Sequence, residues 1–343
     1  MTELLILFGG ESNEHDVSNI SVSNILNSLD KEKYNVTKIG ITKDGKWYLC
    51  ESDIETIKSG KWSEEVKYEA FISPSKSHKG IVIIKDGQSI FKKIDVCFPV
   101  LHGNNGEDGT IQALLKLAGI KRVGCDHISS AMAMDKRVSK IIFENAGIPV
   151  VPSAYAYKED DADEILKTMK APLFVKPANS GSSVGCYSVT KDEDLKEAIR
   201  KALLVDSCVL VEKYINCREI ECGVLGNDDI FVSDAGEISS SSEFYDYETK
   251  YLSTEAVKIH IPANITDEQM KTIKEYAKKA YIALGLSGFT RADFFIDKDS
   301  GDIYLNEVNT IPGFTALSMY PMLLKHSGYE CGELIDKLIE LAQ

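Results

Sequence analysis

The chain lacks several common signatures, and each lack excludes something. It has 343 residues and only 2 tryptophans and 9 prolines, with no proline-rich linker, repeat or low-complexity tract. Collagen-like, disordered and disulfide-scaffold proteins are therefore excluded. No apolar run approaches the ~18–20 residues of a membrane span, and the N-terminus, opening on Leu4–Phe8, has no basic stretch of the signal-peptide kind. No C-x-x-C occurs among the 8 cysteines, so they read as small buried hydrophobes in a reducing compartment. There is no G-x-G-x-x-G, no GxxxxGK[ST], and no HRD or DFG stretch, which argues against a dinucleotide fold, a P-loop and a protein kinase. Positive charge is scarce: 39 Lys and Arg against 53 Asp and Glu give −14, the wrong sign for a duplex nucleic-acid partner. What remains is an ordinary globular composition, 43% hydrophobic and 27% charged, long enough for two or three domains by the usual ~150 residues each. A cytoplasmic protein with neither nucleic-acid nor membrane partner is expected.

Short apolar runs alternate with helical patterns in the first third. Residues 4–8 read as a buried strand followed by Gly9-Gly10, residues 16–29 as a helix, and 36–42 as the next strand. Residues 94–101 and 110–118 repeat strand then helix. This is the signature of a doubly wound α/β unit. Further on, 129–146 reads as one helix stopped by Gly147 and Pro149, and 173–177 and 208–213 read as strands. Residues 266–284 form a helix opened by a Thr266–Gln269 capping box. The longest stretch without clear periodicity, 235–253, reads as a functional loop.

Four stretches carry chemistry. His102-Gly-Asn-Asn-Gly-Glu-Asp-Gly109 lies between a buried strand and a helix, where ligands gather in α/β folds. Lys176, on a buried strand, needs an anion, and the following 180–185 (SGSSVG) has glycines and hydroxyls suited to phosphates. Alternation puts Arg291 and Asp293 on one face of a strand, and Glu307 and Asn309 on one face of the next. If those strands pair, three oxygen-bearing side chains converge, a donor set for Mg²⁺ with phosphates, beside an arginine. The segment 243–251 (EFYDYETKY) reads as a lid that excludes water.

Together these stretches resemble the D-alanine–D-alanine ligase family of ATP-grasp enzymes across essentially the whole chain. HGNNGEDGTIQA is similar to the first family signature, and residues 284–295 through 305–313 to the second. The resemblance implies an α/β (α+β) fold in three domains: a Rossmann-like unit over 1–124, a central ATP-grasp part over 125–212, and a C-terminal part over 213–343 with an ω-loop near 236–254. It implies ligation of two D-alanines through a D-alanyl phosphate, for peptidoglycan precursors. ATP is the co-substrate, with two Mg²⁺ (or Mn²⁺) ions, and a homodimer is implied. Glu14 would bind the amino group of the first D-alanine, in a triad with Ser182 and Tyr251. Lys136 and Lys176, with Ser182, Ser183 and Lys250, would serve the ATP phosphates. Glu212 and Lys213 would lie by adenine, and Glu219 by ribose. Asp293, Glu307 and Asn309 would hold metal. Arg291 and the Gly313 backbone would stabilise the tetrahedral intermediate. His102, Ser318 and Met319 fall on the substrate side. The alternatives are a D-Ala–D-Ser ligase, against which the apolar Met319 argues, and a non-catalytic nucleotide-binding protein on the same scaffold.

Overall fold

The computed structural model describes residues 1–240 and 257–342, arranged as three sheets. The first has eight strands: β1 (Thr2–Gly9), β2 (Tyr34–Ile41), β3 (Trp47–Leu49), β4 (Glu69–Ile72), β5 (Gly80–Lys85), β6 (Gln88–Lys93), β7 (Val96–Leu101) and β8 (Lys121–Arg122), in the order β6-β5-β4-β3-β2-β1-β7-β8. Strands β2, β1, β7 and β8 pair in parallel, as the strand–helix alternation predicts. Strands β3 to β6 extend this parallel core with antiparallel partners. Every residue of β7 is buried, the mark of a central parallel strand covered on both faces.

The second sheet is antiparallel: β9 (Ser153–Ala156), β10 (Leu173–Pro177), β11 (Tyr187–Val189) and β12 (Val209–Lys213), ordered β11-β10-β12-β9. Leu173, Val175, Val209 and Val211 face a core shared with Ala198 and Ile199 of the Leu195–Ala202 helix. Strand alternation therefore turns Lys176 and Glu212 to the opposite face.

The third sheet comprises β13 (Cys217–Gly226), β14 (Phe231–Val232), β15 (Gly236–Ser240), β16 (Val257–His260), β17 (Gly288–Asp297) and β18 (Ile303–Asn309). Ile220, Cys222, Ala292, Phe294 and Ile296 face a core built with the Asp267–Ala283 helix. The other face carries Glu219, Glu221, Arg291 and Asp293. Strand β15 corrects the loop reading of 235–253. Gly-Glu-Ile-Ser-Ser has one apolar residue, and its partners lie on β13 and β16. The lid segment 243–251 lies outside the described residues.

The single helix expected over 129–146 is two, His127–Met134 and Lys136–Asn145. Asp135 is extended and accepts the Arg137 and Val138 N–H groups, so it caps the second helix where the first ends. At its end the chain returns to the first sheet. Helices Met319–His326 and Cys331–Leu341 share one core with β1 and β7. Phe98 of β7 meets Phe289 and Phe314 edge-on, and Phe289 also packs on Tyr320. The eight cysteines are free, five of them buried, and no helix among the described residues is long and apolar enough to cross a membrane.

Phe289 is 1% exposed at the joint between the first and third sheets. Replacing it with alanine should cost about 3–5 kcal/mol, read from the urea midpoint. A loss under about 1 kcal/mol would mean that this aromatic cluster does not bind the sheets together.

Candidate active site

Strands β17 and β18 pair in the register that alternation requires. Arg291 is opposite Asn309 and Asp293 opposite Glu307. The guanidinium of Arg291 grips Asp293 with two hydrogen bonds, 2.7 and 2.6 Å, and reaches Glu221 at 2.8 Å. Asn309 donates to Asp293 at 2.8 Å. Just beyond Asp293 the register shifts, leaving Asn306 as an extra residue on β18. This β-bulge aims the Asn306 amide oxygen at the Lys176 ammonium, 3.0 Å away.

The second sheet supplies lysines. The Lys176 ammonium finds its anion in Glu212, 2.8 Å away, and Lys140 approaches the same carboxylate at 2.5 Å. Lys140 also donates to the Val151 carbonyl and is 1% exposed. Burial pulls the Lys176 ammonium down, but Glu212 and Glu307 more than offset it. For Lys140 burial prevails and its affinity for the proton falls. Glu212, opposed by burial but flanked by both lysines, stays below the usual carboxylate range. Lys136, the first residue of its helix, donates to the Ser180 carbonyl at 2.7 Å and lies 3.4 Å from Glu307. Lys213 is exposed at the end of β12. Glu219 shares the Glu221 face of β13.

The glycine–serine loop and the first sheet meet over Glu14. A Cβ at Gly103 or Gly181 would stand 3.1 or 3.4 Å from the Glu14 Oε2, so glycine at both positions lets two loops close on one carboxylate. Ser182 and Ser183 hold positive φ, 52° and 59°. Such backbone is uncommon for residues with a side chain and concentrates at ligand clamps. His102 is buried. Its Nδ1 donates to the Ile311 carbonyl at 3.0 Å, and its Nε2 faces the Ser21 hydroxyl at 3.4 Å, a neutral imidazole with the proton on Nδ1. Burial lowers its pKa, outweighing the pull of Glu14. Ser318 reaches the Thr315 N–H and hydroxyl, and a Cβ at Gly313 would lie 2.8 Å from its Oγ. Met319 packs inward, its sulfur against Gly236, while Leu317 in the same turn is 67% exposed.

Lys136, Lys176, Glu212, Arg291, Asp293, Glu307 and Asn309 meet through the contacts above, and Glu14 meets the Gly103 and Gly181 loops; Met319 instead lies in the core, Lys213 is exposed, and Lys250 and Tyr251 lie outside the described residues. Three participants escaped the sequence reading: Lys140, Glu221 and Asn306. Lys140 had a signal, standing one helical turn after Lys136 on the face that buries Ser139 and Phe143. Glu221 had one too, two residues after Glu219 on the same strand face.

A depressed histidine pKa makes a pH prediction. Below about 6.5 the unfolded chain binds a proton that folded His102 refuses, so stability falls as pH drops through that value. In urea titrations from pH 7.5 downward, His102→Gln should lose less stability than the parent below pH ~6.5. Parallel curves would mean that folding leaves the affinity of His102 for the proton unchanged.

Comparison with known proteins agrees with this geometry. The family model described as D-ala D-ala ligase N-terminus matches residues 3–125, and that described as D-ala D-ala ligase C-terminus matches 142–340. The chain is 49% identical to the D-alanine–D-alanine ligase of Caldicellulosiruptor bescii, covering 100% of this chain and 96% of the relative. It is 46% identical to that of Acetivibrio thermocellus, over 99% and 95%. Among solved structures, the VanG D-Ala:D-Ser ligase from Enterococcus faecalis superposes with a TM-score of 0.91 at 41% identity, covering 100% and 99% of the two chains. The D-alanine–D-alanine ligase from Coxiella burnetii superposes at 0.84 with 33% identity, covering 99% and 93%. On its sequence, its fold and its cleft, this chain belongs to the D-alanine–D-alanine ligase family of ATP-grasp enzymes.

Proposed function

We propose that this chain joins two D-alanines to D-alanyl-D-alanine with ATP, through a D-alanyl phosphate. The observation that carries the reading is the β17–β18 face, where Arg291, Asp293, Glu307 and Asn309 stand together, closed over by Lys136 and Lys176. That is the equipment of phosphoryl transfer to a carboxylate followed by amine attack. The domain division that goes with this reading is 1–124, 125–212 and 213–343, with ATP taken between the second and third. The working form proposed is a cytoplasmic homodimer.

Lys136 and Lys176 neutralise the phosphates of ATP. Lys176 exchanges Glu212 for phosphate oxygen, and Lys140 keeps the buried Glu212 from being left unpaired. Ser182 and Ser183 line the phosphate loop, Glu212 and Lys213 flank adenine, and Glu219 takes the ribose. Glu14 receives the ammonium of the first D-alanine, with Ser182 and Tyr251, while His102 stays neutral beside it. Asp293, Glu307 and Asn309 are hard oxygen donors of the kind magnesium takes with nucleotide phosphates, and Arg291 already brings a cation to this face. Magnesium bound there would draw charge from the transferring phosphoryl group. The second D-alanine presents its carboxylate to Ser318 and its amine to the acyl phosphate. Arg291 and the Gly313 backbone donate to the oxyanion of the tetrahedral intermediate, and phosphate leaves. Lys250 and Tyr251 complete the phosphate and substrate sides.

A second reading has one observation in its favour, the likeness to a D-Ala:D-Ser ligase at 41% identity. Alanine and serine differ by one hydroxyl, worth only ~1–3 kcal/mol of selectivity in a hydrophobic pocket. Met319, the expected basis of a preference for alanine, is buried in the core, so the choice between the two readings rests on acceptor competition.

Phosphate release from Mg·ATP, followed with mass identification of the dipeptide, tests both. D-Ala–D-Ala should dominate with D-alanine alone and with equal D-serine. Predominant D-Ala–D-Ser would transfer the assignment to the second reading. Arg291→Ala should lower kcat about 10²–10³-fold with ATP binding little changed. Retention of near-parental turnover would remove Arg291 from the reaction.

A further inference from the structure

Glu107 joins two loops that are far apart in the chain. Its Oε2 accepts the Gly103 N–H at 2.9 Å, and its Oε1 accepts the Ile311 N–H at 3.1 Å. The carbonyl of the same Ile311 accepts from His102 Nδ1 at 3.0 Å. Ile311 is therefore held at both its N–H and its C=O. Pro312 follows, and its ring fixes φ, so few free torsions separate the held residue from Gly313. Beyond Gly313 the pattern repeats. The Phe314 N–H donates to Ser21 Oγ at 3.2 Å, and its carbonyl accepts from Asn24 Nδ2 at 2.9 Å. Gly313 hangs between two residues whose backbones are pinned on both sides. All four pinning side chains belong to the first sheet's part of the chain, whereas the pinned loop leaves the third.

We infer that Glu107 is a positioning residue for the bond-forming step: by holding Ile311 it sets the Gly313 backbone where the tetrahedral intermediate develops. This rests on the ligase reading given above. A carboxyl group suits the task because it has two oxygens, and each takes one of the two converging N–H groups. Glutamine offers a single acceptor oxygen and would turn its NH₂ toward one of them. Burial, and then the Glu14 carboxylate, push the Glu107 carboxyl up to about 8, and the two N–H groups oppose that shift. Glu14 and Arg291 are the charged groups of the cleft that act on it, the first raising and the second lowering its affinity for the proton.

Positioning predicts a particular failure. Phosphoryl transfer to the first D-alanine precedes any need for the Gly313 donor. With Gly313 displaced, the acyl phosphate still forms but waits for amine attack. Water then adds at the acyl carbon, the C–O bond to phosphate breaks with its electron pair on phosphate, and D-alanine and inorganic phosphate are released without a dipeptide. ATP consumption becomes uncoupled from ligation.

The test is to measure phosphate and D-alanyl-D-alanine in the same reaction for the parent, Glu107→Gln and Ser21→Ala. The parent should give one dipeptide per phosphate. Glu107→Gln should lose dipeptide synthesis about 10–100-fold, the scale of a misplaced reacting group, while phosphate release falls much less and KM for ATP stays within about twofold. Ser21→Ala loosens Phe314 from the other side and should move the ratio the same way, which keeps the test decisive if Glu107→Gln does not fold. Parallel loss of phosphate and dipeptide in the variants, at an unchanged ratio, would overturn the inference and leave Glu107 a stabilising contact. A parent that releases phosphate but makes no dipeptide would instead overturn the ligase reading, and the inference with it.

Discussion

The pairing of β17 with β18 is the constraint on which the rest depends. Both strands divide their residues between a hydrocarbon core and a charged face. Ala292, Phe294, Leu305 and Val308 pack inward, while Arg291, Asp293, Glu307 and Asn309 face the cleft. Leu305 and Val308 are three apart, and in a regular strand they would point to opposite faces. The extra residue, Asn306, changes the phase between them, so both enter the core and Glu307 still opposes Asp293. A slip of β18 by one residue would put Glu307 and Asn309 into the core and Leu305 and Val308 into the cleft. The energy that buries the core therefore also fixes the register of the chemistry.

Around that face, charge is balanced almost pair by pair. Arg291 sits between Glu221 and Asp293, and Glu212 between Lys140 and Lys176. Buried ions are costly unless each has a partner, so a highly charged cleft can fold only if its charges satisfy each other. The same arrangement suits binding. Each cation is already held by an anion and already desolvated, and a phosphate can replace that anion with little reorganisation. The first sheet contributes position more than charge. Through Ser21, Asn24, His102 and Glu107 it grips the loop after β18, and the aromatic cluster of Phe98, Phe289, Phe314 and Tyr320 welds the same joint.

Much of this was legible in the sequence, for reasons that are local. The two-residue period announces which face of β17 carries Arg291 and Asp293, a lysine inside an apolar run announces an ion pair, and a glycine-rich stretch after a buried strand announces a binding loop. What could not be read depended on distant partners or on one ambiguous residue. Asp135 fits a helix interior as easily as a cap, and the apolar period runs on through it, so the break between the two helices left no trace. Strand β15 has almost no apolar pattern and exists because β13 and β16 flank it. The bulge at Asn306 is invisible until β18 is laid on β17. The clamp by Glu107 spans 204 positions and has no local signature. Of the antiparallel edge, the turn into β3 was legible, whereas β4 has four residues and β6 is almost wholly exposed, so neither gave a buried run.

The central claim is that the face shared by β17 and β18 is where metal and phosphate meet. Crystals grown with manganese and a non-hydrolysable ATP analogue would test it directly, because manganese is located by its anomalous scattering. The account predicts manganese bound by Asp293, Glu307 and Asn309, with the Arg291 guanidinium released from Asp293 and the Lys176 ammonium turned from Glu212 to a phosphate oxygen. Manganese bound elsewhere, with the Arg291–Asp293 and Lys176–Glu212 pairs intact beside a bound nucleotide, would contradict it.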